Sequence, residues 1–174
     1  SGTDNFAVRL QSEPLDNVTL SLRVSDDNES LVSPSSLTFS PDNWSVAQTV
    51  VVSGLADSFD DGSQTSTVTV FSDNSTSDGK YLLSALDNAT LSVTTLDNDT
   101  AGIVVSEASV TVDERTGTDN FTVRLQSEPA DNVTLLLTVS DDNESSVSPA
   151  MLSFSPDNWS EAQAVVVSGV EDHF

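Results

Sequence analysis

Apolar residues recur at every second position along much of the chain. In "NFAVRLQ" the residues Phe6, Val8 and Leu10 share one phase, and in "NVTLSLRVS" Val18, Leu20, Leu22 and Val24 share another. Successive strand side chains point to opposite faces, so each such run predicts a strand with one buried face. Counted from residue 100, alternating or β-rich runs fall at 102–112, 120–126, 132–140, 151–155 and 163–168, and continue in the first part of the chain at 66–72 and 89–96. No segment carries the three-and-four apolar spacing of an amphipathic helix, and Asp, Asn, Ser, Gly and Pro punctuate every junction. The pattern predicts an all-β protein.

The runs repeat. "GTDNF" occurs at Gly2 and Gly117, "SDDNES" at Ser25 and Ser140, and "FSPDNWS" at Phe39 and Phe154, always 115 residues apart. Residues 1–59 lie over 116–174 without a gap, and 45 of the 59 positions are identical. The differences favour one strand face: Ala7 becomes Thr122, Ser21 becomes Leu136 and Arg23 becomes Thr138, while the alternating apolar residues between them are kept. A strand whose one face is held and whose other face drifts is packed on one side only. The period predicts tandem β-sandwich repeats of immunoglobulin-like size, seven strands each. Residues 1–99 then form a first repeat lacking its first strand, and residues 100–174 a second lacking its last two. Residues 1–115 also hold every strand once in permuted order, so the period alone leaves the module phase open. Unpaired strand edges invite pairing, and neighbouring copies are expected to supply the missing strands, by strand complementation or head-to-tail assembly. Trp44 and Trp159, each in "PDNWS", are expected to close one end of the sandwich.

Charge changes the picture. The 28 acidic residues face only 5 Lys and Arg, for a formal net charge of −23. Such a surface cannot neutralise phosphates, which excludes duplex binding and disfavours anionic membranes. No apolar run is long enough for a membrane span, so direct insertion is not expected. With no cysteine there is neither a disulfide framework nor a thiolate metal site. Twenty of the acids are Asp, gathered in the polar runs between strands, where Asp favours turns and hard cations.

Five acidic groups punctuate each repeat: Glu114 near the first strand run, Asp26 with Asp27 after the third, Asp57 after the fifth, Asp60 with Asp61 just beyond, and Asp97 with Asp99 in "LDNDTAGI". Asp141, Asp142 and Asp172 are the second copies of Asp26, Asp27 and Asp57. In an up-and-down sandwich the turns after alternate strands share an end, so these acids are expected to converge. Two carboxylates about 5 Å apart repel by roughly 3 kcal/mol at an effective dielectric near 20, which a bound cation would offset. Ca²⁺ takes oxygen ligands in irregular geometry, whereas Mg²⁺ demands a stricter octahedron. Zinc is disfavoured by the lack of cysteine and a single histidine. "DSFDDG" places Phe59 at the third EF-hand position and Val68 at the twelfth, so that motif is absent. Any calcium site is therefore assembled from separate loops. The competing reading is that these acids cap turns and solvate the surface.

The elements "VTVDERTG", "VSDDNES", "LTFSPDNW", "VVVSGLADSFDDG" and "LDNDTAGI" resemble the Calx-beta domain, over the whole repeat. The resemblance implies seven-stranded sandwiches that bind calcium in loops at one end, near the junction to the next domain, in long extracellular adhesion and aggregation proteins. By position it implies ligands at Glu114, Asp26 or Asp141, Asp57 or Asp172, Asp60 or Asp61, and Asp97 with Asp99. The chain departs from the pattern at Leu55 and Ala56, where further acids are expected, and at Asn98 inside the closing triplet. Fewer ligands imply fewer ions or weaker binding.

Ten of eleven asparagines sit in Asn-x-Ser/Thr. Asn17, Asn28, Asn43, Asn74, Asn88, Asn120, Asn132, Asn143 and Asn158 are candidate glycosylation sites if the chain is secreted, and Asn98 is disfavoured as an acceptor if its neighbours hold an ion. The competing reading is a Ser/Thr-rich surface with Asn in turns. Catalysis is not expected: the only histidine, His173, is Ser58 in the other copy, and Asp60 with Asp61 sits in no run that reads as a pocket. The residues together predict a non-catalytic, acidic, extracellular or cell-surface repeat of a stalk, adhesin or filament, stiffened by Ca²⁺ at the joints between repeats. The alternative is a module binding glycans or a cell surface through outward residues such as Thr65, Thr67 and Thr69.

Overall fold

The computed structural model describes residues 2–73, 78–82, 87–114 and 117–171. Asn74, Asp172 and His173 lie outside them. Thirteen strands and no helix are present among the described residues, and every strand pairing is antiparallel. Among the described residues no helix is long and apolar enough to cross a membrane.

The chain forms two compact units. The first comprises Ser1–Asp57 with Gly62–Asp97, and the second Ser58–Asp61 with Asn98–Phe174. Unit 1 contains β1 (Thr3–Val8), β2 (Val18–Val24), β3 (Ser30–Ser33), β4 (Ser36–Phe39), β5 (Gln48–Gly54), β6 (Gln64–Ser72) and β7 (Ala89–Thr95). One sheet runs β1-β5-β3 and the other β4-β2-β6-β7. Unit 2 contains β8 (Ile103–Val105), β9 (Thr118–Leu125), β10 (Val133–Leu136), β11 (Ser145–Ser148), β12 (Met151–Phe154) and β13 (Gln163–Gly169), in sheets β11-β13-β9-β8 and β10-β12. Strands β1 to β5 reappear as β9 to β13, each start displaced by 115 residues.

Alternation builds the cores. In unit 1, Leu10, Val18, Leu20, Leu22, Leu37, Phe39 and Val50 form a buried cluster with Trp44 packed against it. In unit 2, Val123, Leu125, Leu152, Phe154 and Val165 do the same with Trp159. The residues between them stay exposed or half-buried: Ala7, Ser21 and Arg23 in unit 1, Thr122, Leu136 and Thr138 in unit 2. Removing apolar area from water at roughly 25 cal/mol per Å² holds two opposed faces together. The architecture is all-β and sandwich-like.

Three details differ from the periodicity. β3 and β11, "SLVS" and "SSVS", were not expected. Their single apolar residue facing inward, Val32 or Val147, is too weak a signal against the serines, yet both ladders pair fully with the neighbouring strand. The first strand run, expected over 102–112, pairs only over Ile103–Val105; beyond it Thr111 donates its N–H to the Asp119 carboxylate instead of to a backbone carbonyl. β10 ends at Leu136, short of 140. Its counterpart β2 extends to Val24 because Leu22–Val24 pair with β6, and no described strand takes that place in unit 2.

One acid is built into the frame. Asp78 is only 4% exposed, and its carboxylate accepts N–H bonds from Lys80 at 2.8 Å and Leu15 at 2.6 Å. The Tyr81 hydroxyl adds a bond to the Ser12 carbonyl at 3.0 Å, tying the same two loops. The backbone bond from Lys80, then that from Leu15, holds the Asp78 carboxyl below its ordinary value of 3.8. A depressed carboxyl stabilises the fold above the ordinary value, and that contribution is lost as pH falls through the folded value below 3.8. Asp78→Asn places an amide donor against two backbone donors. It is expected to lower the melting temperature well above pH 3.8, with the gap from the parent protein closing as both are acidified below it. A gap that does not change with pH would show that the charge on Asp78 is irrelevant.

Candidate functional site

The acidic groups sit on turns, as Asp and Asn dictate by bonding their own backbone. In unit 1 the turn after β2 is closed by Asp26, whose Oδ1 accepts from Asn28 N–H at 3.1 Å and whose carbonyl accepts from Ser30 N–H at 3.3 Å. Asp141 repeats this in unit 2, with Asn143 N–H at 3.1 Å and Ser145 N–H at 3.2 Å. Asp26, Asp27, Asp141 and Asp142 are exposed.

Hydrogen bonds bring further loops of unit 1 to the same end. The Glu29 carbonyl accepts from Leu55 N–H at 2.9 Å and from Thr95 Oγ1 at 3.1 Å. That joins the turn after β2 to the segment leading to Asp57 and to the end of β7 that leads to Asp97. Asp97 is half-buried, and its Oδ2 accepts from Gly62 N–H at 2.8 Å. Gly62 has φ of 75°, in the left-handed region, and open space where a Cβ would stand. Gly62→Ala therefore meets no clash and is expected to cost only the backbone term, about 1 kcal/mol, in a denaturant titration. A neutral result would show that the turn relaxes.

Residues 58–61 belong to unit 2. Ser58 accepts from Glu128 N–H at 2.8 Å, Phe59 forms a bridge with Glu128, and Asp60 Oδ2 accepts from Ala101 N–H at 2.7 Å. Asp61 is exposed and Asp99 half-buried in the same unit. Glu114 lines a cleft of about 580 Å³ with Val112, Asp113, Glu144, Ser145 and Gly169. Backbone passes so close here that a Cβ on Gly169 would meet the Asp113 carbonyl, so only glycine fits. Asp113 and Glu144 were not singled out from the sequence. Their signals were adjacency to Glu114 and membership of the "SDDNES" run.

The structure thus places Asp26, Asp57 and Asp97 on loops at one end of unit 1, and Glu114 in a cleft with two further acids in unit 2. Asp57, Asp97 and Asp26 belong to one unit, whereas Asp60, Asp61, Asp99 and Glu114 belong to the other. No group of three or more His, Cys, Asp or Glu side chains is close enough to hold a metal among the described residues. The donors present are carboxylates, backbone carbonyls and hydroxyls, which suit Ca²⁺ by their oxygen chemistry.

Of the candidate acceptor asparagines, Asn17, Asn28, Asn88, Asn120, Asn132 and Asn143 are exposed. Asn43 and Asn158 are half-buried turn residues. Asn43 Oδ1 accepts from Ser40 N–H at 2.6 Å, and Asn158 Oδ1 from Ser155 N–H at 2.7 Å, so both side chains already close the turn leading to the tryptophan. Asn98 is exposed beside Asp97 and Asp99. A comparison with protein-family models and a comparison with curated proteins each find no match.

Proposed function

We propose that the chain is a non-catalytic structural part of an extracellular stalk, adhesin or filament: tandem, immunoglobulin-like sandwich repeats of the Calx-beta kind, stiffened by Ca²⁺ bound in acidic loops. The observation that carries this is the coincidence of charge and place. The formal net charge is −23, only Asp4 and Asp119 of the acids stand within strands among the described residues, and hydrogen bonds gather several of the acidic loops at one end of unit 1. Mutual repulsion of such carboxylates favours splayed loops. A divalent ion reverses that preference, drawing the loops together and restricting motion along the array.

The ligand groups in this reading are Asp26, Asp27, Asp57 and Asp97 in unit 1, and Asp60, Asp61, Asp99, Glu114, Asp141 and Asp142 in unit 2, with Asp172 as the copy of Asp57. Small-angle scattering of the 174-residue chain tests the mechanical role. A larger maximum dimension in calcium than in chelator is expected, and equal dimensions would refute stiffening. Exposed sequons such as Asn17 and Asn132 would carry glycans if the chain is secreted by a glycosylating cell.

A further inference from the structure

One sheet rim is built the same way in both units, and side chains close it. In unit 1, β4 stands at the rim of sheet β4-β2-β6-β7, and in unit 2 the side of β12 away from β10 pairs with no strand among the described residues. The β2–β4 ladder sets Leu37 opposite Leu20 and Thr38 opposite Thr19, and Leu22 N–H donates to the Ser35 carbonyl at 2.8 Å. The backbone groups of residues 35, 37 and 39 therefore point to β2, and alternation turns those of Ser36, Thr38 and Ser40 outward. Unit 2 repeats this parity, with Leu137 N–H on the Ala150 carbonyl at 2.9 Å, so Met151, Ser153 and Ser155 turn theirs outward there.

Two of these outward groups are already bonded. Gln48, the first residue of β5 in the opposite sheet, donates from Nε2 to the Thr38 carbonyl at 2.8 Å. Asn43 Oδ1 accepts from Ser40 N–H at 2.6 Å. In unit 2, Gln163 Nε2 donates to the Ser153 carbonyl at 2.8 Å, and Asn158 Oδ1 accepts from Ser155 N–H at 2.7 Å. The positions around the rim drift between the copies, Ser36 to Met151, Thr38 to Ser153 and Thr49 to Ala164, while Gln48 and Asn43 recur unchanged as Gln163 and Asn158. A cap on backbone groups requires just this, because a carbonyl is the same whichever side chain its residue carries.

We propose that these amides are edge guards: they bar a second copy of the chain from adding a strand to β4 or β12, and so keep copies from joining side by side. An antiparallel strand laid along β4 would exchange two bonds with Thr38, giving its own N–H to the Thr38 carbonyl and accepting from the Thr38 N–H. The Gln48 amide stands on that carbonyl, and the next outward donor, Ser40 N–H, is held by Asn43. The rest of the edge is short, since β4 and β12 run only four residues each, and short edges resist strand addition. The guard matters most in unit 2, where Met151, 55% exposed, sets an apolar side chain on the rim. For an array built end to end, side-by-side pairing would turn single filaments into sheets. That bearing rests on the array reading, whereas the guard itself involves no calcium.

The test is run in chelator, so its failure leaves the scattering test standing. Gln48→Met with Gln163→Met keeps side-chain length and removes both donors. Sedimentation velocity compares this variant with the parent 174-residue chain in about 1 M salt, where charges are screened beyond roughly 3 Å. Self-association at least about tenfold stronger in the variant is expected, the worth of roughly one recovered ladder bond. Hydrogen exchange at the Thr38 and Ser153 N–H groups is expected to slow with rising concentration in the variant alone. Adding Thr38→Pro and Ser153→Pro removes outward donors without touching the ladders to β2 and β10, and is expected to return association to the parent's level. Equal association of parent and variant overturns the proposal, because something other than the amides then keeps copies apart. Association that survives both prolines overturns it too, as does exchange protection that arises away from Thr38 and Ser153, since the new methionines and not the edge would then be responsible. The exchange readout decides even where the proline variant folds poorly.

Discussion

Phe39→Ala is expected to destabilise unit 1 by about 3–5 kcal/mol, the usual cost of deleting a buried aromatic ring. Phe39 is fully buried, stands opposite Val18 across the β2–β4 ladder, and belongs to a buried cluster drawn from both sheets of unit 1. Neighbours held in sheets cannot collapse into the space the ring leaves, so both the transfer term and the cavity term are felt. Phe154 holds the same place in unit 2, 1% exposed and opposite Val133. A groove of about 480 Å³ in unit 2, lined by Leu135 and Leu152 among others, lets these side chains shift toward the vacancy. Phe154→Ala is therefore expected at the lower end, near 3 kcal/mol. Denaturant titration of both variants checks this. A loss under about 1 kcal/mol for Phe39→Ala would mean that the unit 1 core is not the packed cluster described.

Calcium at a hundredfold excess over its dissociation constant is expected to stabilise the folded chain by about 2.7 kcal/mol relative to chelator. For a single unit of the size of unit 1 or unit 2, fewer than about 100 residues, that corresponds to a rise of roughly 10–20 °C in melting temperature. Asp97 separates a ligand role from a structural one. Its carboxylate accepts from Gly62 N–H, so Asp97→Asn weakens the turn whether or not metal is bound. If the residue only closes the turn, the variant loses the same stability in calcium and in chelator. If it also ligates, the increment from calcium itself shrinks, and that shrinkage is the expected result.

Much of the fold was legible because strands packed on one face leave period-two traces that a duplicated sequence reinforces. Phe6, Val8 and Leu10, and again Val18, Leu20 and Leu22, turn inward as their spacing requires. β3 and β11 escaped because each is a serine-rich strand held by its ladder bonds and one inward valine, Val32 or Val147, which leaves too faint a hydrophobic trace to read. β10 fell short of its reading for a different reason: Leu137 and Val139 keep the right alternation, but strand structure needs a partner, and a single run of sequence does not reveal one.

The candidate site was legible to a lesser degree. Asp26 and Asp141 were marked by their turns. The cleft shared by Asp113, Glu114 and Glu144 depends on how the backbone near Gly169 is approached, which no local pattern records. Asp78 is the clearest case. In "SDGK" it reads as one more turn acid, yet it receives an N–H from Leu15, 63 residues away. Only the fold distinguishes it from the solvated acids around it.

Isothermal titration of calcium into the metal-stripped chain tests the central claim most directly. The account predicts saturable binding that weakens when Asp26, Asp57 and Asp97 are changed together to Asn. Heats no larger than those of dilution, at calcium concentrations up to the millimolar range typical of extracellular modules, would contradict it and leave the acidic loops as solvated turns.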